Sequence, residues 1–165
     1  IGVETGDDKA LTFMNKGYTS KDILIQCKKL EEANIDYNIF YLTGIYGNGS
    51  STIGVENTVK IFNQLHPKII GASMLTVFKT SQLYEEIQLG NWQEESEFEK
   101  LRELRMLIEK LSINTHFAAL GSSNAFNFQG KLPSEKQKLI DYIDSILNNY
   151  TESQLKSYRN NLNSL

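Results

Sequence analysis

The stretch IGVETGDD, residues 1–8, decides how the rest of the chain is read. Ile1–Glu4 has the look of a buried strand's end. Gly6 supplies a turn, and Asp7-Asp8 put carboxylates where the first turn of a helix favours negative charge. Strand ends that run straight into a glycine turn sit in the middle of α/β domains. The chain is therefore expected to be the second half of something larger.

Outward from this stretch, helices and strands alternate. A helix is expected over Asp8–Lys16, stopped by Gly17, and a second from Thr19 or Ser20 to about Ala33, with Ile23, Leu24, Cys27 and Leu30 on one face. Tyr37–Thr43 is a nearly continuous apolar run of strand length. It suits a strand buried on both faces, as in parallel sheets. A loop over Gly47–Ser51 leads to a helix over Gly54–Leu65, which Pro67 closes. Lys68–Leu75 is the next strand, Thr76–Thr80 a loop, and Ser81–Leu89 a helix stopped by Gly90. Ser96-Glu97-Phe98-Glu99 reads as a capping box opening a long amphipathic helix to about Leu111. Thr115–Leu120 is a fourth strand, Leu132-Pro133-Ser134 opens a helix to about Leu147, and a polar helix runs from Glu152 to Leu162. Crossovers of this length between strands argue for right-handed βαβ units in a parallel sheet. Either a doubly wound sheet or part of a β/α barrel fits. In both, function sits at the C-terminal ends of the strands, here Glu4-Thr5-Gly6, Thr43–Gly47 and Leu75–Phe78.

Composition narrows the function classes. Of 165 residues, 40% are hydrophobic and 22% charged, the balance of an ordinary globular domain. Seventeen basic residues against twenty acidic ones leave −3, with no basic block, so nucleic acid is not an expected partner. No apolar run is long enough to cross a bilayer, so no membrane partner is expected either. The single cysteine, Cys27, can form no internal disulfide and fits a reducing, cytoplasmic setting; on a helix's apolar face it reads as a core residue. No His-x-x-x-His, Cys-x-x-Cys or clustered-carboxylate pattern offers a metal site, and no Gly-x-Ser-x-Gly elbow offers a serine nucleophile. Glu4 and Thr5 stand at a strand end, where a carboxylate can accept ribose hydroxyls or simply cap the next helix. Gly44–Gly49 resembles a phosphate-cradling loop loosely, without a P-loop lysine, and otherwise reads as a flexible turn. His66 suits a helix end, and His116 a strand.

Taken together, the strand-end stretches resemble a known family. IGVETGDDKALTFMNKGYT resembles the fourth-strand segment of radical S-adenosylmethionine (radical SAM) enzymes, YNIFYLTGIYG their fifth strand, and GASMLTVFKTSQLYEEIQLGNW their sixth strand and its continuation. SSNAFNFQGKLPSEKQKLIDYID resembles the end of the same group. The nearest group is the one related to oxygen-independent coproporphyrinogen III oxidase and the elongator-type catalytic barrels. The resemblance implies an α/β fold: strands four to six of a partial (β/α)6, TIM-like barrel over residues 1–130, and a C-terminal helical extension over 131–165. It implies a parent oxidoreductase that cleaves SAM reductively to a 5′-deoxyadenosyl radical on a [4Fe–4S] cluster. The cluster's three cysteines would precede this chain, so the fragment alone should hold no cofactor and be inactive. Carried over by position, Glu4 would contact the SAM ribose with Thr5 beside it, and Lys16 would lie near the SAM carboxylate. Gly44 and Ile45 would approach the adenine, and Leu75 and Thr76 would line the sixth-strand end. Catalytic residues and the substrate are left open. Lys79-Thr80-Ser81-Gln82 replaces the usual Pro-Gly-Thr-Pro, and Phe40 stands where the coproporphyrinogen oxidases carry an acid, so porphyrin chemistry does not transfer. The partners implied are the missing N-terminal half and, through the open edge at Ile1–Glu4, a second copy. Two alternatives stay open: a non-catalytic nucleotide-binding α/β module, and a tRNA-modifying barrel of the same family.

Overall fold

The computed structural model describes residues 1–160. Four strands run parallel in chain order: β1 (Gly2–Glu4), β2 (Asn38–Thr43), β3 (Ile69–Met74) and β4 (Thr115–Ala119). A fifth, β5 (Phe128–Leu132), returns antiparallel beside β4. The helices are α1 (Asp8–Phe13), α2 (Ser20–Glu32), α3 (Ser51–Phe62), α4 (Gln82–Gln88), α5 (Glu97–Lys110), α6 (Lys136–Asn149) and α7 (Glu152–Asn160). α/β alternation and parallel pairing agree with the sequence reading. β5 was not foreseen, because Gly130 and the polar Gln129 and Lys131 dilute its apolar pattern. The helix expected after Leu132 begins four residues later, at Lys136. Leu162, the expected end of the last helix, lies outside the described residues.

Local chemistry sets the helix starts. Thr19 and Ser96 each form a full capping box, with Asp22 and Glu99 reaching back to the cap amide. Asp7 caps α1 by accepting from Ala10 N at 2.8 Å. The core lies between the sheet and the helices. Ile39 and Tyr41 of β2, Ile70 of β3 and Phe117 of β4 meet Phe62 of α3, Leu104 and Ile108 of α5 and Ile143 of α6, and Cys27 of α2 is buried among such side chains. Alternation along every strand shows that this is the covered face. The other face is bare: Phe40 is 53% exposed, and Asn38 beside it is exposed too.

That finding corrects the expectation that β2 is buried on both faces. An apolar run cannot tell a sheet sandwiched between helices from one whose second face opens into a barrel's interior. With Phe40 and Asn38 exposed and the β3 and β4 residues of that face half-buried, the second face is more open than a sheet covered by helices on both sides would be.

Candidate functional site

The C-terminal ends of the parallel strands meet along one rim of the bare face. At the end of β1, Glu4 takes a left-handed conformation, φ 63°, uncommon for a residue with a side chain. This breaks the β1–β2 register between Gly2 and Glu4. The carboxylate folds back over Gly2, where a Cβ would lie 3.2 Å from Glu4 Oε1. Lys16 reaches the same oxygen at 3.1 Å. A left-handed Asn15, φ 51°, turns the chain after α1 and delivers that lysine. Both side chains are part-exposed, 21% for Glu4 and 30% for Lys16, and Glu4 Oε2 takes no donor from the described residues. The Tyr18 hydroxyl donates to Gly2 O at 2.9 Å, covering part of the open edge of β1.

Thr5 turns the other way. It is fully buried, and its hydroxyl bonds Tyr46 at 2.8 Å and Thr58 at 2.9 Å. Gly6 N donates to the same Thr58 hydroxyl, and a Cβ on Gly6 would lie 2.8 Å from Thr58 Cα, so α3 sits directly on the turn. The network continues from Tyr46 to Tyr41 at 3.2 Å, and Tyr41 donates to Glu103 Oε1 at 2.6 Å. Glu103 Oε2 accepts from Gly44 N at 3.0 Å. Burial pushes the Tyr41 and Tyr46 hydroxyls and the Glu103 carboxyl above their ordinary ranges. The ends of β1 and β2 are thus joined through buried hydroxyls and one α5 carboxyl.

Gly44 itself is required: its φ is 86°, and a Cβ would lie 3.0 Å from Lys100 Cε. Ile45 is buried and lines a cleft of about 360 Å³ shared with Asp7, Lys9 and Trp92. Leu75 and Thr76 line another cleft of about 360 Å³ with Leu42, Ser73 and Gly121, across the ends of β2, β3 and β4. From outside that rim, α7 sends Arg159 to Leu75 O at 2.7 Å and to Thr76 Oγ1 at 3.3 Å, while its other terminal nitrogen holds Glu97 at 3.1 Å. Asn124 extends β3 where β4 leaves it, accepting from Met74 N at 2.9 Å and donating to Ala72 O at 3.0 Å.

The structure therefore pairs Glu4 with Lys16, sets Leu75 beside Thr76 in one cleft, and links Thr5 to Gly44 through hydrogen bonds while turning the Thr5 side chain inward. Sequence reasoning missed Tyr46, Thr58, Glu103, Asn124 and Arg159. One signal was present in α5, where Glu97, Lys100 and Glu103 recur every three residues beside its apolar stripe. Such a polar row on a buried flank marks an internal network. Of the histidines, the exposed His66 ring lies 3.3 Å from Glu31 Oε2 through Nδ1, and the His116 ring bonds Gln129 at 2.9 Å. Among the described residues no three His, Cys, Asp or Glu side chains are placed to hold a metal, and Cys27 is buried within α2 with its thiol pushed up by burial. These residues do not fit an iron–sulfur cluster.

Comparison with solved structures adds the fold's likeness. The chain is similar to archaeal Methanocaldococcus infernus Elp3 with an N-terminal deletion (1–46), with a TM-score of 0.64 and 14% identity. The match covers 87% of this chain and 35% of that one, so this chain spans about a third of the structure it resembles. At that identity the likeness shows a shared fold. No protein-family profile and no curated protein matches the sequence.

Proposed function

We propose that this chain is the C-terminal half of a radical SAM barrel, and that its bare sheet face lines the interior of that barrel. One observation carries the reading: the Glu4–Lys16 pair stands at a strand end on the face that no helix covers. The likeness to Elp3 supports it at the level of fold. SAM supplies a 5′-deoxyadenosyl radical when bound and reductively cleaved in enzymes of this kind, and the cluster that does so would be held by residues outside this chain.

The residues present fit the nucleoside end of that cofactor. Glu4 Oε2 is an open acceptor for two hydroxyls, and Lys16 offers a cation one ion pair away. Gly44 and Ile45 bring backbone to the same rim from β2, held there by Glu103. Leu75 and Thr76 close it from β3, fixed by Arg159. Thr5 positions the rim through Tyr46 and Thr58 instead of pointing at a ligand. A lone buried thiol supports a reducing, cytoplasmic setting for the parent. The three-residue edge strand β1 is the natural junction with the N-terminal half, or with a second copy in its absence.

The test is on the full-length protein, reconstituted anaerobically with iron and sulfide and then given dithionite and SAM. Formation of 5′-deoxyadenosine is the expected result. A protein that holds no cluster and leaves SAM intact overturns the assignment and makes the chain a binding module that shares only the fold.

A further inference from the structure

The polar helix α7 is tied near both of its ends into the start of α5. At its first residue, the Glu152 carboxylate accepts from Glu97 N at 2.7 Å and from Phe98 N at 3.0 Å, amides that the first turn of α5 leaves free. Leu155 of the same helix is buried. Arg159, with its side chain 7% exposed, spreads its guanidinium in two directions. One terminal nitrogen holds both Glu97 oxygens, at 3.1 and 3.3 Å, and the other donates to Leu75 O at 2.7 Å and to Thr76 Oγ1 at 3.3 Å. Glu97 is buried too, and on its other side stands Lys100, whose ammonium lies 3.4 Å from it and 2.7 Å from Glu94. The Lys100 stem packs against Gly44, where a Cβ would lie 3.0 Å from Lys100 Cε and 3.3 Å from Cγ. A row of charges therefore runs from the exit of β3, through Arg159, Glu97 and Lys100, to the exit of β2.

Burying ions is costly, and apolar side chains could join α7 to α5 without that cost. They could not, however, hydrogen-bond a carbonyl and a hydroxyl at the end of a strand. A guanidinium does so in a fixed plane while keeping its carboxylate. We propose that Arg159 is a positioning residue: through the Glu97–Lys100 ion cluster, α7 acts as a strap that sets the β3 exit, Leu75–Thr76, against the β2 exit, Gly44–Ile45, for the ligand both strands meet. This rests on the reading of that rim as the SAM site. Arg159 is not part of the cleft that Leu75 and Thr76 line with Ser73 and Gly121, and it works on that cleft from behind. Leu75 N still donates to Thr43 O at 2.8 Å, so β2 and β3 stay paired up to this peptide, and Arg159 fixes the chain where the pairing ends.

The experiment compares wild type, Arg159→Lys and Arg159→Met in the full-length protein by thermal melting, amide hydrogen exchange and SAM affinity. Methionine strips Glu97 of a buried partner, and the melting temperature should fall. Lysine returns a charge to Glu97 without the planar fork, and should restore most of the melting temperature but not the strand exit. In Arg159→Lys the Leu75 amide should exchange roughly tenfold faster or more, the worth of a hydrogen bond to a charged group, while the Ile70 amide within β3 keeps its wild-type rate. SAM affinity of the same variant should fall about threefold to tenfold, the cost of ordering a loosened wall on binding. A lysine variant that recovers wild-type exchange at Leu75, or wild-type SAM affinity, makes Arg159 an ordinary structural tie and overturns the proposal. So does one that melts as early as the methionine variant, with Leu75 and Ile70 exchanging faster alike. If wild type binds no SAM, the SAM reading fails, and Leu75 exchange in Arg159→Lys decides the strap by itself.

Discussion

Replacing Gly54 by alanine sets two physical effects against each other with opposite signs. Gly54 lies in the first turns of α3, and in a helix interior alanine is better than glycine by about 1 kcal/mol. Helix propensity alone therefore makes Gly54→Ala stabilising. The packing says the reverse. A Cβ at this position would lie 2.6 Å from Cζ of Tyr46, and closer still to Cδ1 and Cε1. That ring cannot retreat freely, because its hydroxyl bonds Thr5, Tyr41 and Thr58 in the buried network joining the ends of β1 and β2. Overpacking of this kind costs about 1–3 kcal/mol, and each net hydrogen bond lost adds about 1 kcal/mol. With two of those three bonds lost, and less the propensity gain, the variant should be destabilised by about 2–4 kcal/mol. Urea unfolding gives the difference from the shift in midpoint at constant slope. In a Tyr46→Ala background the ring is gone, and the same Gly54→Ala change should then stabilise by about 1 kcal/mol. A single variant as stable as wild type or more so, or no change of sign in the double variant, would refute the close packing of Tyr46 on α3.

Two further expectations concern other parts of the chain. Asn124→Leu should cost about 2–4 kcal/mol in the same assay, because the Met74 amide and the Ala72 carbonyl would each be left buried without their partner; a loss under about 1 kcal/mol would mean the backbone finds other partners. Burial alone would raise the Glu31 carboxyl, but donors from Lys28, Tyr37 and His66 outweigh it and lower the group from 4.5 to about 2. Its contribution is therefore present above about pH 4.5 and lost as pH falls towards 2, so Glu31→Gln should be less stable than wild type at pH 7, and the two stability curves should converge in acid. Parallel curves down to about pH 2 would remove Glu31 as an acid-sensitive tie.

Much of the fold was legible because period and punctuation agree in the sequence. Ser96-Glu97-Phe98-Glu99 became a capping box, and the runs at Tyr37–Thr43 and Lys68–Leu75 became β2 and β3. β5 escaped because a short antiparallel strand with glycine at its centre has little apolar signature. Of the site, Glu4 and Lys16 could be placed by position, but nothing local announced that a left-handed Glu4 would swing its carboxylate onto Lys16 while Thr5 turned inward. The buried network depends on contacts such as Tyr41 with Glu103, 62 residues apart, and Arg159 with Leu75, 84 apart. Pairing over such separations is set by tertiary packing: the polar row Glu97, Lys100 and Glu103 in α5 hints that a buried network exists, but not which residues it meets.

The central claim is that the rim held by Glu4 and Lys16 receives SAM. It is tested most directly by measuring SAM affinity in the full-length protein for wild type, Lys16→Met and the rim-distant control Lys68→Met. A part-exposed ion pair of this kind contributes about 0–1 kcal/mol to stability, so the melting temperature of Lys16→Met should stay close to wild type. Its SAM affinity should fall by roughly tenfold or more, the worth of about 1.4 kcal/mol, while the control binds as wild type does. Equal SAM affinity in all three proteins would contradict the account, leaving Glu4–Lys16 as a surface ion pair at the end of a strand.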